Sequence, residues 1–265
     1  MKINPVVIIP IYKPVLTEYD YISLRHAYRY LSRYRIAAIQ PKSLRFFLPG
    51  MDLVTFPDHF FRGRDGYNEL MLSVEFYEHF QNHSHMLIYQ QDALVFRDEL
   101  EEWCAEEIDY IGACWYPNLI QKYEHMDWPY ARIGCGNGGF SLRRIETFLN
   151  HLQNRKPIDR QMIDTIAQNN AAGAKLIERY WLHLDPANFM NHESLNEDVY
   201  FGIFASILDR KFRVALPEMG DRFSFEYAPQ WLFKKNGEHM PFGCHAWYKF
   251  PDSLDFWTPY LVQNN

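Results

Sequence analysis

Val6-Val7-Ile8-Ile9-Pro10 is the segment that most restricts the architecture open to this chain. Four consecutive β-branched residues with no polar alternation suit a strand covered on both faces, and the proline ends it at a loop. From Glu18 to Arg33, Ile22, Leu24, Ala27, Tyr28 and Leu31 recur at helical spacing, and Ile36 to Ile39 reads as a second strand. Strand, helix and strand in that order make a β-α-β unit, the seed of a parallel sheet. The expected fold class is therefore α/β.

With 265 residues, 48% of them hydrophobic and 17% aromatic, the chain has enough apolar surface for one large core. One domain over 1–265 is expected rather than two. A net charge of −6 argues against nucleic acid as a partner, because holding a phosphate backbone needs a basic face. A small phosphate ligand is still open, since one metal ion or a few local cations can hold it. No stretch approaches the about 20 apolar residues of a membrane span, and the N-terminus lacks a cleavage signal. A cytoplasmic location is expected, with at most peripheral contact to a membrane surface. Cys104, Cys114, Cys135 and Cys244 show neither CxxC spacing nor secretory context and read as reduced, mostly buried thiols.

Further along, Leu53 to Phe56 reads as a strand and Pro57 to Gly66 as irregular. Leu70, Met71, Val74, Phe76, Tyr77 and Phe80 mark one amphipathic helix. Met86 to Tyr89 is a buried strand running into Gln90-Gln91-Asp92. In open α/β sheets, ligands sit where such strands end. Trp115 to Arg132 is a loop-rich candidate for substrate contact, Phe140 to Leu142 a strand, Asn196 to Leu208 a buried helix, and the tail from Pro217 aromatic and irregular.

Asp92 is the sharpest single signal for chemistry. A carboxylate emerging from an apolar strand is costly to bury unless it meets a cation or caps a turn. Asn196-Glu197-Asp198 could supply a general base, although acidic residues also favour a helix start. Gly134 to Gly139, rich in glycine and followed by a strand, is neither a P-loop nor a dinucleotide fingerprint and suits close approach to a ligand or a bulged turn. His245 lies among small and apolar residues, where a satisfied core histidine is the commoner outcome and a metal ligand the sharper one.

Val7 to Pro14, Gly66 to Met71, Leu87 to Phe96, Asp109 to Gly112, Gly136 to Arg143, Asn196-Glu197-Asp198 and Pro241 to Trp247 together resemble a bacterial family of unknown function. Its members lie in polysaccharide and lipopolysaccharide loci and are described as glycosyltransferases. Their order is also similar to the GT-A plan, a mixed, mostly parallel sheet flanked by helices, with a nucleotide-sugar half (here 1–112) and an acceptor half (113–265). The resemblance implies that Pro10, Ile11 and Tyr12 line the nucleotide-base pocket, with Tyr67, Asn68 and Gln91 as further donor contacts. It implies that Gly138 and Gly139 approach the donor sugar, that Asp92 and His245 bind Mn²⁺ or Mg²⁺, and that Glu197 or Asp198 is the base. The partners it implies are a nucleotide-sugar donor, UDP-linked by preference, and a glycan or lipid-linked glycan acceptor.

In place of the Asp-x-Asp of that plan stands Gln90-Gln91-Asp92. A lone carboxylate and a histidine either hold a metal weakly, with the diphosphate completing its ligands, or leave no metal at all. Two other functions fit less of the pattern. A nucleotidyltransferase would carry a glycine-rich basic loop where Ile11-Tyr12-Lys13-Pro14 stands. A non-catalytic glycan-binding module would stack sugars on Trp115, Trp128, Trp231 or Trp247.

Overall fold

The structure, a computed structural model, describes residues 2–116, 134–184 and 195–262. Strand β1 (Pro5–Pro10) leads into helix α1 (Glu18–Leu31), and β2 (Arg35–Pro41) returns parallel to β1. Thr17 starts α1 with a reciprocal cap: its hydroxyl accepts from the Asp20 amide, while the Asp20 carboxylate accepts from the Thr17 amide.

Beyond β3 (Asp52–Phe56) the chain makes a 3-10 turn, Asp58–Phe61, then helices α2 (Gly63–Met71) and α3 (Val74–His79). The amphipathic stretch read as one helix is thus two. Ser73 breaks it by capping α3, its hydroxyl accepting from the Phe76 amide. The stretch from Pro57 to Gly66, read as irregular, already holds the 3-10 turn and the start of α2.

Next come β4 (His85–Tyr89), β5 (Leu94–Val95), α4 (Leu100–Ala105), β6 (Tyr110–Ile111), β7 (Cys114–Trp115), β8 (Gly134–Cys135) and β9 (Phe140–Arg144). The main sheet has the order β3-β2-β1-β4-β9-β6, parallel except for the reversed β9. Strand β1 lies between β2 and β4, so connections leave it in opposite directions and open a crevice at the carboxyl ends of β1 and β4. Because β9 runs the other way, it is its start, just after Gly138-Gly139, that reaches the same rim. The Gln90 amide donates to the Gly139 carbonyl there at 2.8 Å.

Both faces of the sheet are buried, as the uninterrupted β1 run requires. Val7, Ile9, Leu87 and Tyr89 enter one core cluster, and Val6, Ile8, Met86 and Ile88 the other. Each such side chain contributes about 1.5–3 kcal/mol by leaving water.

The predicted helix from Asn196 is present as an α-turn, Glu197–Val199, a π-helical segment, Tyr200–Phe204, and a final turn, Ala205–Leu208. The tail from Pro217, expected to be irregular, instead contains helices Pro217–Phe223, Pro229–Lys235 and Ser253–Trp257 and strands β10 (Ser224–Phe225) and β11 (Gly243–Cys244). Its aromatic residues hide the periodicity because they pack on several sides. Strands β10, β11 and β5 form a small second sheet.

The reduced state expected for all four cysteines does not hold. Cys114 and Cys135 face each other in register across β7 and β8 and form a disulfide, while Cys104 and Cys244 are free and buried. Sequence spacing could not show that opposition. No helix among the described residues is long and apolar enough to cross a membrane.

Replacing Leu87, fully buried at the centre of the sheet, should cost about 3 kcal/mol as Leu87→Ala. Leu53→Ala, on an exposed position of β3, should change stability by less than about 0.5 kcal/mol. Urea unfolding followed by tryptophan fluorescence measures both.

Candidate functional site

The small sheet assembles one wall of the crevice. Phe225 pairs with Cys244, and Cys244 with Leu94, so the residues just beyond those positions, Glu226, His245 and Asp92, are brought together although far apart in sequence. His245 Nδ1 lies 3.0 Å from Glu226 Oε1, and its Nε2 lies 3.2 Å from Gln90 Oε1 and 3.4 Å from Asp92 Oδ2. The tail does fold back over the end of β4. The Trp247 amide donates to the Asp92 carbonyl at 3.2 Å, and the Trp247 indole donates to Ser23 on α1.

Lys249 then reaches Asp92, its Nζ 2.5 Å from Oδ2. Burial works against both charges of the Asp92–His245 pair, but their attraction prevails. His245 is pushed up to about 10 by Asp92 and Glu226, and Asp92 is held well below the usual carboxylate range by His245 and Lys249.

The opposite wall begins with Arg143, a wholly buried residue of β9. Its guanidinium donates to Glu197 Oε1 at 3.0 Å, Tyr77 Oη at 3.0 Å and Ser141 Oγ at 3.2 Å. Burial pushes the Glu197 carboxyl up, and Arg143 pulls it back toward the charged form. Asn68 accepts from the Glu197 amide at 3.1 Å, satisfying a helix-start donor that the preceding Asn196 side chain does not.

Asp198, next along, is partly open. Its Oδ2 accepts from the Gly138 amide at 3.2 Å and its Oδ1 from the Val199 amide at 2.7 Å. Burial, followed by the charge of Glu197, raises its pKa to about 7.

Gly138 and Gly139 join the two walls. A Cβ on Gly138 would overlap the Glu197 carboxylate, and one on Gly139 would overlap the His245 imidazole. Asp92, Glu197, Asp198 and His245 therefore gather around one backbone turn at the rim of the sheet.

Other expected positions divide. Tyr12 is 58% exposed at the mouth, whereas Pro10 and Ile11 are buried and offer no side-chain surface to a base. Tyr67 and Asn68 lie inside α2. Both face Glu197: Tyr67 places its hydroxyl beside Glu197, Arg143 and Gln90. Gln91 is buried with neither amide atom hydrogen-bonded.

Trp115 and Trp247 are buried rather than displayed for sugar stacking, and Trp231 is 41% exposed. Trp128 and most of the Trp115 to Arg132 loop lie outside the described residues. Sequence reasoning missed Arg143, Glu226 and Lys249. The available signals were a charge ending an apolar strand, a carboxylate between Phe225 and Tyr227, and a lysine four residues after His245.

Asp92 and His245, expected to hold Mn²⁺ or Mg²⁺, fit a resident divalent ion poorly. Each His245 nitrogen is directed at a carboxylate, and Lys249 already occupies Asp92. Unit charges about 4 Å apart repel by about 4 kcal/mol at an effective dielectric near 20, and a divalent ion doubles that before solvent screening around the half-exposed lysine. Among the described residues no three Asp, Glu, His or Cys side chains form a group able to hold a metal.

Glu197→Gln should destabilise the fold by about 3–5 kcal/mol, because it leaves the buried Arg143 without its counter-charge. Asp198 behaves differently. Its pKa rises from 3.8 to about 7 on folding, so its contribution is full below about pH 4 and is lost as pH climbs through 7. In urea unfolding between pH 5 and pH 8, Asp198→Asn should flatten that decline; an unchanged slope would refute the assignment.

Among solved structures, an active-site mutant of LgtC is similar, with a TM-score of 0.50 and 12% identity, covering 98% of this chain and 97% of that one. A glycosyltransferase involved in glycosylation of the major capsid of PBCV-1 scores 0.47 at 10% identity, covering 97% of this chain and 98% of that one. The apo-form glycosyltransferase GlyE of Streptococcus pneumoniae TIGR4 scores 0.47 at 12% identity, covering 98% of this chain and 61% of that one. The LgtC likeness, together with the sheet described above, identifies the fold as GT-A-like. No curated protein matches the chain in sequence. The family described as "Protein of unknown function (DUF5672)" matches residues 50–245, and the chain belongs to that family.

Proposed function

We propose that the chain is a glycosyltransferase that moves a hexosyl group from a nucleotide diphosphate sugar to a saccharide hydroxyl. The observation that carries this reading is the gathering of Asp198, Glu197, Asp92 and His245 around Gly138-Gly139, at the crevice where strand order reverses. The donor diphosphate lies toward Tyr12, Asp92 and Lys249, and the sugar lies against the glycine turn. Gln91 and Glu226, each with a buried polar atom lacking a hydrogen bond, support a polar ligand there.

Asp198 is the base. Its pKa of about 7 suits proton abstraction near neutrality, whereas Glu197 is engaged by Arg143. The acceptor hydroxyl gives its proton to Asp198 as its oxygen bonds to the anomeric carbon. The bond from that carbon to the phosphate oxygen breaks, and the nucleoside diphosphate leaves with the electron pair. Direct displacement of this kind inverts the anomeric centre.

Residues 1–112 form the donor half and 113–265 the acceptor half. The donor is a uridine diphosphate sugar. The acceptor is a lipid-linked or growing surface glycan met at the inner face of the membrane, as in polysaccharide or lipopolysaccharide synthesis. These finer assignments rest on the sequence resemblance.

Donor hydrolysis across a panel of nucleotide sugars, with and without divalent cations, tests the reading. One donor should release its nucleoside diphosphate, at a rate that rises with pH to a plateau above about 7 as Asp198 ionises. Asp198→Asn should lower kcat by about 100-fold or more while donor affinity stays within about threefold. Failure of every nucleotide sugar to be consumed, and of every nucleoside diphosphate to bind, would overturn it.

A further inference from the structure

We propose that the donor diphosphate is gripped by the ammonium of Lys249, fixed in place by Asp92, and not by a resident divalent ion. This inference rests on the donor site proposed above.

The first support is the position of the lysine. Lys249 Nζ is 2.5 Å from Asp92 Oδ2, and Asp92 is itself buried at the end of β4. An ammonium has three donor hydrogens. The ion pair with Asp92 holds the ammonium in place, and because Lys249 is half exposed, its donors can reach a ligand at the crevice mouth. A flexible side chain is thereby anchored before the ligand arrives, which lowers the ordering cost of binding.

The surroundings give a second support. Lys249 and Tyr248 both feel the exposed Tyr12, so this cation sits where the loop after β1 meets the end of β4. Tyr248 is itself held by stacking on Tyr19 of α1, with ring centroids 4.5 Å apart.

The third support is local charge pairing. Asp92, Glu197 and Glu226 are matched by Lys249, Arg143 and His245. A metal on Asp92 would have to displace Lys249 or His245 from it. Gln90, which stands where a further carboxylate would help to hold a metal, instead faces His245 with its amide oxygen.

Isothermal titration with uridine diphosphate, repeated with guanosine and thymidine diphosphates, separates the possibilities. In EDTA the protein should bind one of them, and replacing EDTA by Mn²⁺ should change the affinity by less than about threefold. Lys249→Met should weaken binding by about tenfold or more, the loss expected for a charge-assisted hydrogen bond, and Lys249→Arg should recover most of it. Circular dichroism melting of each variant confirms that it is folded.

In Lys249→Met, with Asp92 released, Mn²⁺ should strengthen binding. Binding that appears only with Mn²⁺, or an unchanged affinity in Lys249→Met, overturns the inference and leaves the transferase reading standing. No binding of any nucleoside diphosphate in either condition overturns the donor site, and this inference with it.

Discussion

The site depends on the absence of two side chains. Gly138 and Gly139 let the backbone at the start of β9 pass between Glu197 on one side and His245 on the other, at separations that no Cβ permits. Neither carboxylate nor imidazole can simply swing away, because Arg143 holds the first and Glu226 the second. The space their side chains would take is filled by that carboxylate and that imidazole, so two polar walls close on one backbone turn. The reversal of β9 sets the arrangement. It delivers the start of that strand to the rim where β1 and β4 finish.

Charge is distributed over the walls in pairs. Arg143 is wholly buried, and its three side-chain nitrogens are spread over Glu197, Tyr77 and Ser141, which makes it a rigid peg between β9, α3 and the Glu197 helix. Such a pair is expensive to desolvate, and its value lies in fixing where Glu197, and with it Asp198, must stand. Among the described residues no cation pairs with Asp198, and burial first, then the charge of the neighbouring Glu197, makes it hold its proton more tightly than an ordinary aspartate. The two acidic residues of one dipeptide are thus separated into a structural anion and a titrating group.

Much of the scaffold was legible in the sequence. The β-branched run of β1, the helical spacing of α1 and the abrupt polarity after Tyr89 each reported a local pattern that burial alone produces. The convergence of Asp92 with His245 was legible only as a possibility. It is decided by the register of β10, β11 and β5, strands of two residues each, too short to leave any periodicity. Lys249 and Glu226 stayed hidden for the same reason, and the Cys114–Cys135 link depends on an opposition across β7 and β8 that spacing cannot encode. Asn68, set within α2, carries no local sign of its distant partner. In the fold it caps another helix start, from the side, across 129 residues.

A crystal structure of the protein grown with uridine diphosphate bears most directly on whether this crevice is where the donor sits. Density for the diphosphate is expected between Tyr12, Lys249 and the Gly138-Gly139 turn, with the ammonium still on Asp92. A nucleotide seated on another face of the sheet, with the crevice left to solvent, would contradict it.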